Sequence, residues 1–212
     1  MSRLRVVLAE DHEAVRDGLR LLFETRGEMD VVHGVPSGAE AIDAARTLSP
    51  DVIVLDLSMP GINGLAAARE IKAQTPRVAV VVLTRHTEYA YVHEAFAAGA
   101  DGYVLKQSSF DELVKAVRTA VSGGRYLDEA IVVPLRTTDQ PQPEGRPPVT
   151  KREFTVLRLA ALGKSNKDIA SELGIAVKTV EVHKSSAMRK LGLRDRSEML
   201  RFAVVKGWLQ DV

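Results

Sequence analysis

Five short apolar runs recur through the first half of the chain, and a helical pattern follows each one. The runs are Arg5–Ala9 (RVVLA), Val31–Val35, Val52–Leu55 (VIVL), Val78–Leu83 (VAVVVL) and Gly102–Leu105 (GYVL). Helical spacing of apolar residues covers Ala14–Phe23, Ala39–Leu48, Leu65–Gln74, Ala90–Ala98 and Phe110–Val121. A strand that is apolar at nearly every position has no wet face, so it must be covered on both sides. Helices between successive strands are the crossovers that parallel pairing requires. The predicted fold is therefore α/β, a five-stranded doubly wound parallel sheet. In such sheets, sites lie beyond the carboxyl ends of the strands. That rule selects Glu10, Asp11, Asp56, Thr84 and Lys106.

The alternation stops near Gly123 and Gly124. Residues 134–148 (PLRTTDQPQPEGRPP) hold five prolines and few apolar side chains, which reads as an extended linker. From Val149 onward only helical patterns appear, with capping signals at Thr150/Glu153, Ser165/Asp168 and Asp195/Glu198. The expected organisation is a first domain over 1–125, a linker over 126–148 and a smaller all-α domain over 149–212. The net charge of +1 hides a division: residues 1–125 carry −3, residues 126–148 carry −2 and residues 149–212 carry +6. A basic terminal domain suits a polyanionic partner. Cysteine is absent, which excludes a disulfide framework and thiolate metal sites. The first apolar run is short and ends in Glu10, Asp11 and Glu13, unlike a signal peptide. No stretch has the length of a membrane span. The expected setting is the cytoplasm, with no membrane partner.

Three carboxylates at neighbouring strand ends repel unless a cation intervenes. Hard oxygen ligands with room for water suit Mg²⁺. Lys106 can neutralise an added phosphoryl group, and the Thr84 hydroxyl can donate to it. A carboxylate can itself attack phosphorus to form an acyl phosphate. Together, ED at 10–11, LDLSMPGINGL around Asp56, LT at 83–84 and GYVLK at 102–106 make the first 125 or so residues resemble a flavodoxin-like receiver domain. The resemblance implies that Asp56 accepts phosphate from a histidine kinase. It implies Mg²⁺ held by Glu10, Asp11, Asp56 and the backbone carbonyl of Ser58. It makes Thr84 and Lys106 phosphoryl contacts and Tyr103 the switch aromatic that turns inward as Thr84 moves. Two positions depart from the common pattern: Glu10 stands where Asp is frequent, and Gln107 follows the lysine where Pro is frequent.

The segments TKREFTVLRLAALGKSNKDIASELGIAVKTVEVHKSSAMRKLGL and RSEMLRFAV resemble the LuxR-type helix-turn-helix of NarL/FixJ-class response regulators. That resemblance makes Asn166–Leu173 the scaffold helix and Val177–Leu191 the recognition helix. Helical spacing turns Val180, Ala187 and Leu191 inward and leaves Lys178, Glu181, Val182, Ser185 and Arg189 on or near the other face. That face fits a major groove about 12 Å wide. Thr179, Lys184 and Lys167 are better placed for phosphates. The helix N-cap, commonly Ser, is Ala176. The resemblance implies double-stranded DNA as partner and a homodimer on it.

The reading is thus a transcription regulator that labels itself, not an enzyme. A haloacid-dehalogenase-like phosphohydrolase with Asp56 as nucleophile is the rival. It would place a second Asp two residues on, where Ser58 stands, and it leaves the basic helical domain without a role. A DNA-binding protein whose receiver needs no phosphate is also compatible with the sequence.

Overall fold

The computed structural model describes residues 3–27, 29–131, 149–206 and 208, and the chain divides into two compact units. In the first unit the strands are β1 (Leu4–Ala9), β2 (Met29–Val35), β3 (Val52–Leu55), β4 (Ala79–Thr84), β5 (Gly102–Leu105) and β6 (Tyr126–Leu127). They form one parallel sheet in the order β2-β1-β3-β4-β5-β6. The sheet has six strands where the sequence suggests five. β6 pairs Tyr126 with Gly102 and Leu127 with Tyr103, so the first residues of the expected linker belong to the sheet. A two-residue strand is too short to show a hydrophobic period. Residues 128–131 of that segment are also described, with Asp128 and Ile131 buried, while 132–148 with its prolines lies outside the described residues.

The crossovers are α1 (Glu13–Arg26), α2 (Gly38–Leu48), α3 (Gly64–Gln74), α4 (Tyr89–Ala97) and α5 (Phe110–Val121). Phe23 of α1 and Leu113, Ala116, Val117 and Ala120 of α5 pack with Val6, Leu8, Val52, Val54 and Val81. By strand alternation Val7, Ile53, Leu55, Val80 and Val82 point to the opposite face. They too are fully buried, which is why the runs are apolar throughout.

Among the described residues the second unit has four helices: α6 (Lys151–Ala161), α7 (Asn166–Leu173), α8 (Val177–Leu191) and α9 (Arg196–Val205). Val156, Leu157, Ile169, Val180, Ala187, Leu191 and Met199 form its interior. Thr150/Glu153 and Ser165/Asp168 are complete capping boxes, and Asp195 accepts from the Glu198 N–H. Ala176 caps α8 with no side-chain hydrogen bond. Gly174, in the left-handed region at φ 63°, ends α7 and allows the tight turn into α8. Among the described residues no helix is long and apolar enough to cross a membrane.

Candidate functional site

Glu10, Asp56 and Lys106 each follow a strand directly, and Thr84 ends β4. The ladder continues one residue past each strand: Glu10 N–H donates to Val35 O (3.0 Å), Asp56 N–H to Ala9 O (2.9 Å) and Lys106 N–H to Thr84 O (2.7 Å). These bonds fix where the side chains leave the sheet. Glu10, Asp56 and Thr84 are 2%, 3% and 0% exposed. The Lys106 ammonium lies 2.6 Å from Glu10 Oε2 and 2.9 Å from Asp56 Oδ2. Burial works against its charge, but the hydrogen bond to Glu10 and the charge of Asp56 outweigh that and hold Lys106 above the usual lysine range.

Asp11 is half-buried, and its Oδ1 stands 2.7 Å from His12 Nδ1, which is also 3.2 Å from Glu10 Oε1. Donor atoms of Glu10, Asp11 and His12 lie within 4.8 Å of one another. Sequence reasoning passed over His12; its adjacency to the acid pair was the available signal. Two carboxylates hold one ammonium here and a third, that of Asp11, stands beside Glu10, so a hard cation fits the surplus charge and the oxygen donors.

The Thr84 hydroxyl accepts from His86 N–H at 3.3 Å. Tyr103 is fully buried, and its hydroxyl donates to the His86 carbonyl at 3.0 Å. The ring therefore lies in the inward position. Ser58 is exposed, with Oγ 3.4 Å from His86 Nε2. Two glycines shape the surrounding loop and carried no sequence signal. A Cβ on Gly64 would stand 2.1 Å from the Asp56 carbonyl oxygen, and one on Gly38 would stand 2.1 Å from the Ile62 carbonyl oxygen. Only glycine lets α3 approach the Asp56 backbone so closely. Every peptide bond among the described residues is trans, including that before Gln107.

In the second unit, Val180, Ala187 and Leu191 are buried while Lys178, Glu181, Val182, Ser185 and Arg189 are exposed. Thr179 and Lys184 are half-buried, and Lys167 on α7 is exposed. Val182 leaves 56% of its surface to solvent. The Ser185 hydroxyl folds back on its own helix, donating towards Glu181 O (2.9 Å) and Val182 O (3.1 Å).

Two features of this unit escaped the sequence. Glu153 of α6 is buried and grips α8, accepting from Ser186 Oγ (2.7 Å) and Lys190 Nζ (2.7 Å). Burial alone would raise its carboxyl, but those bonds and the Thr150 N–H bring it down to about 2. In addition, Lys184 shares a concavity of about 200 Å³ with Lys164 and Arg196 over Ala160, Met188 and Met199. Only the fold collects these three cations.

Residues 6–118 match the response regulator receiver domain model, and residues 147–203 match that of the bacterial regulatory proteins of the luxR family. Oxygen regulatory protein NreC of Staphylococcus epidermidis is 36% identical over 217 residues, covering 98% of this chain and 100% of that protein. RcsB of Salmonella enterica serovar Typhimurium, solved on promoter DNA with the phosphomimetic BeF3⁻, superposes with a TM-score of 0.82 at 28% identity, covering 97% of this chain and 100% of RcsB. A structure of two RcsB dimers on two parallel DNAs gives 0.79 at 28% identity over 96% of this chain and 99% of RcsB.

Proposed function

The chain belongs to the response regulators that join a receiver to a LuxR-family DNA-binding domain, and from that premise we propose that a histidine kinase phosphorylates Asp56 to control sequence-specific DNA binding and transcription. The observation that carries this reading is the Lys106 ammonium bridging Glu10 and Asp56 beside Thr84. An Asp56 oxygen attacks the phosphorus of a phosphohistidine. The new O–P bond forms as the P–N bond breaks, and the imidazole leaves. Positioning and charge neutralisation supply most of what such a transfer needs. Glu10, Asp11, Asp56 and the Ser58 carbonyl would hold Mg²⁺, which when bound neutralises phosphoryl oxygens. Lys106 then turns from Glu10 towards the phosphoryl group, and the Thr84 hydroxyl donates to it. His86 follows Thr84 through its N–H, and Tyr103 through its bond to His86, so the inward ring is favoured by the phosphorylated state.

Two copies of the helix-turn-helix then read repeated half-sites on double-stranded DNA. The α8 face from Lys178 to Arg189 enters the major groove, with Val182 and Ser185 towards base edges. Lys167, Thr179 and Lys184 contact phosphates, and Lys164 and Arg196 extend that cationic surface. The receiver takes in β6, and the regulator acts in the cytoplasm.

Purified protein with Mg²⁺ and a small phosphodonor is expected to gain one acid-stable, base-labile phosphate per chain, without turnover of phosphate esters. Asp56→Asn abolishes the label. Unchanged labelling of that variant would remove Asp56 from its role, and steady ester hydrolysis would favour the phosphohydrolase reading.

A further inference from the structure

We propose that Asp128 is a positioning residue for Lys106, tying the lysine's loop to the chain segment that leaves the sheet; the inference rests on Asp56 being the phosphoacceptor. Asp128 follows β6 and is only 1% exposed. A buried carboxylate needs partners for its lone pairs, and this one takes them from both sides of Lys106. Its Oδ2 accepts from the Leu105 N–H at 3.0 Å and from the Ser108 hydroxyl at 2.6 Å. Its Oδ1 accepts from the Ala130 N–H at 2.9 Å, and its own N–H donates to Tyr103 O at 3.0 Å.

The geometry explains why an acid stands here. β6 pairs with β5 for two residues and stops. The next inward N–H on β5, that of Leu105, then lacks a backbone acceptor, and a buried unpaired N–H is costly. The Asp128 side chain takes the place of the missing strand. Because Leu105 immediately precedes Lys106 and Ser108 lies two residues beyond it, the same oxygen clamps the backbone on either side of the lysine. The other oxygen holds residue 130 on the path towards the second domain. No carboxylate closer to the ammonium has this role: Glu10 and Asp56 bind the end of the Lys106 side chain, whereas Asp128 holds its root.

The test is a double-mutant cycle on the initial rate of Asp56 labelling in the full chain, with a small phosphodonor and Mg²⁺. Lys106→Ala and Asp128→Ala are made singly and together. Misplacing a reacting group by about 1 Å costs up to roughly a hundredfold, so Asp128→Ala is expected to slow labelling about tenfold. If Asp128 acts through Lys106, the double variant labels no more slowly than Lys106→Ala. If the two reductions multiply, or if Asp128→Ala labels at the wild-type rate, the proposal is overturned while the acceptor assignment stands. No label on wild type, with Asp56→Asn alike, overturns both. Asp128→Asn guards against misfolding. Its amide oxygen still accepts from Leu105 and Ser108, the two bonds that flank Lys106, and only the Ala130 N–H loses its acceptor, so it is expected to label within about twofold of wild type. Ser108→Ala, run in the same cycle, removes one clamp and is expected to be non-additive with Lys106→Ala; additivity there also counts against the proposal.

Discussion

Glu10, Asp56, Thr84 and Lys106 come from four strand ends and meet as buried neighbours, whereas Lys178 to Arg189 lie along one helix and face solvent. In the first region each charge is defined by the others. Removing one leaves another uncompensated in a poorly solvated place. In the second region the cations make no such buried cluster, and in the proposed reading each acts on a partner outside the chain. The difference teaches that changes at the strand ends should alter the protein itself. Changes on α8 should alter only what it binds, unless they touch the buried network that orients the helix.

The largest effect is expected at Lys106. Lys106→Ala removes the ammonium between Glu10 and Asp56, at a cost of about 4 kcal/mol of stability. Mg²⁺ should restore more stability to this variant than to wild type, because the carboxylates lose their internal counter-ion. Urea unfolding with and without Mg²⁺ measures both. The variant should still take some phosphate yet show no phosphorylation-dependent gain in DNA binding. Wild-type coupling in the phosphorylated variant would take Lys106 out of the switch.

Glu153 tests where the second region stops behaving as a set of independent contacts. Glu153→Ala strands the Lys190 ammonium and Ser186, costing about 3 kcal/mol, and should weaken DNA binding without touching a DNA-facing residue. Its carboxyl lies at about 2 in the folded chain against an ordinary 4.5. A lowered value means stability that is present above about 4.5 and lost as pH falls from there towards 2. Glu153→Gln should remove that dependence from acid-unfolding curves of the helical unit. Persistence of the slope would assign it to another group.

On the exposed face the effects are smaller and separable. Lys184→Ala should weaken all DNA sites by similar factors and lower the salt slope by about one unit. Substituting Val182 or Ser185 should change which sites are bound, by about 1–3 kcal/mol per base pair. Selection from a random DNA library at two salt concentrations separates the two. If Lys184→Ala changed the selected site while the Val182 variant kept it, the orientation of α8 in the groove would be wrong. The smallest effect is a gain. Ala176→Ser supplies the side-chain cap that α8 lacks and should add about 0.5–1 kcal/mol, with unchanged DNA preference. Thermal unfolding checks it.

The comparison also explains what could be read in advance. β3, β5 and α5 fall on the residues that periodicity assigned, because a run buried on both faces or on one stripe writes its period into the chain, and α7 and α8 fall on those that the family resemblance gave. The strand-end rule then located Glu10, Asp11, Asp56, Thr84 and Lys106 together. What stayed hidden depends on distant neighbours. Gly64 looks like any turn glycine until α3 is laid against Asp56. Glu153 reads as half of a capping box, which it is, but its grip on Ser186 and Lys190 crosses between helices. Asp128 sits in a stretch whose composition suggests a linker. Its role appears only once β6 has been paired. Lys164 and Arg196 are ordinary surface cations until three helices bring them beside Lys184.

The all-parallel sheet order has a kinetic consequence. No strand of the first unit can pair until a whole crossover has been laid down, and β1 is interior, between β2 and β3. Contacts so distant in sequence close slowly. Three helices of the second unit, α6, α7 and α9, carry side-chain caps of their own, and a helical unit is built largely from contacts within its helices, the pattern of a fast folder. On refolding from denaturant, the helical unit is therefore expected to be complete before the pocket at the strand ends, and for that interval the chain has a reader without its receiver.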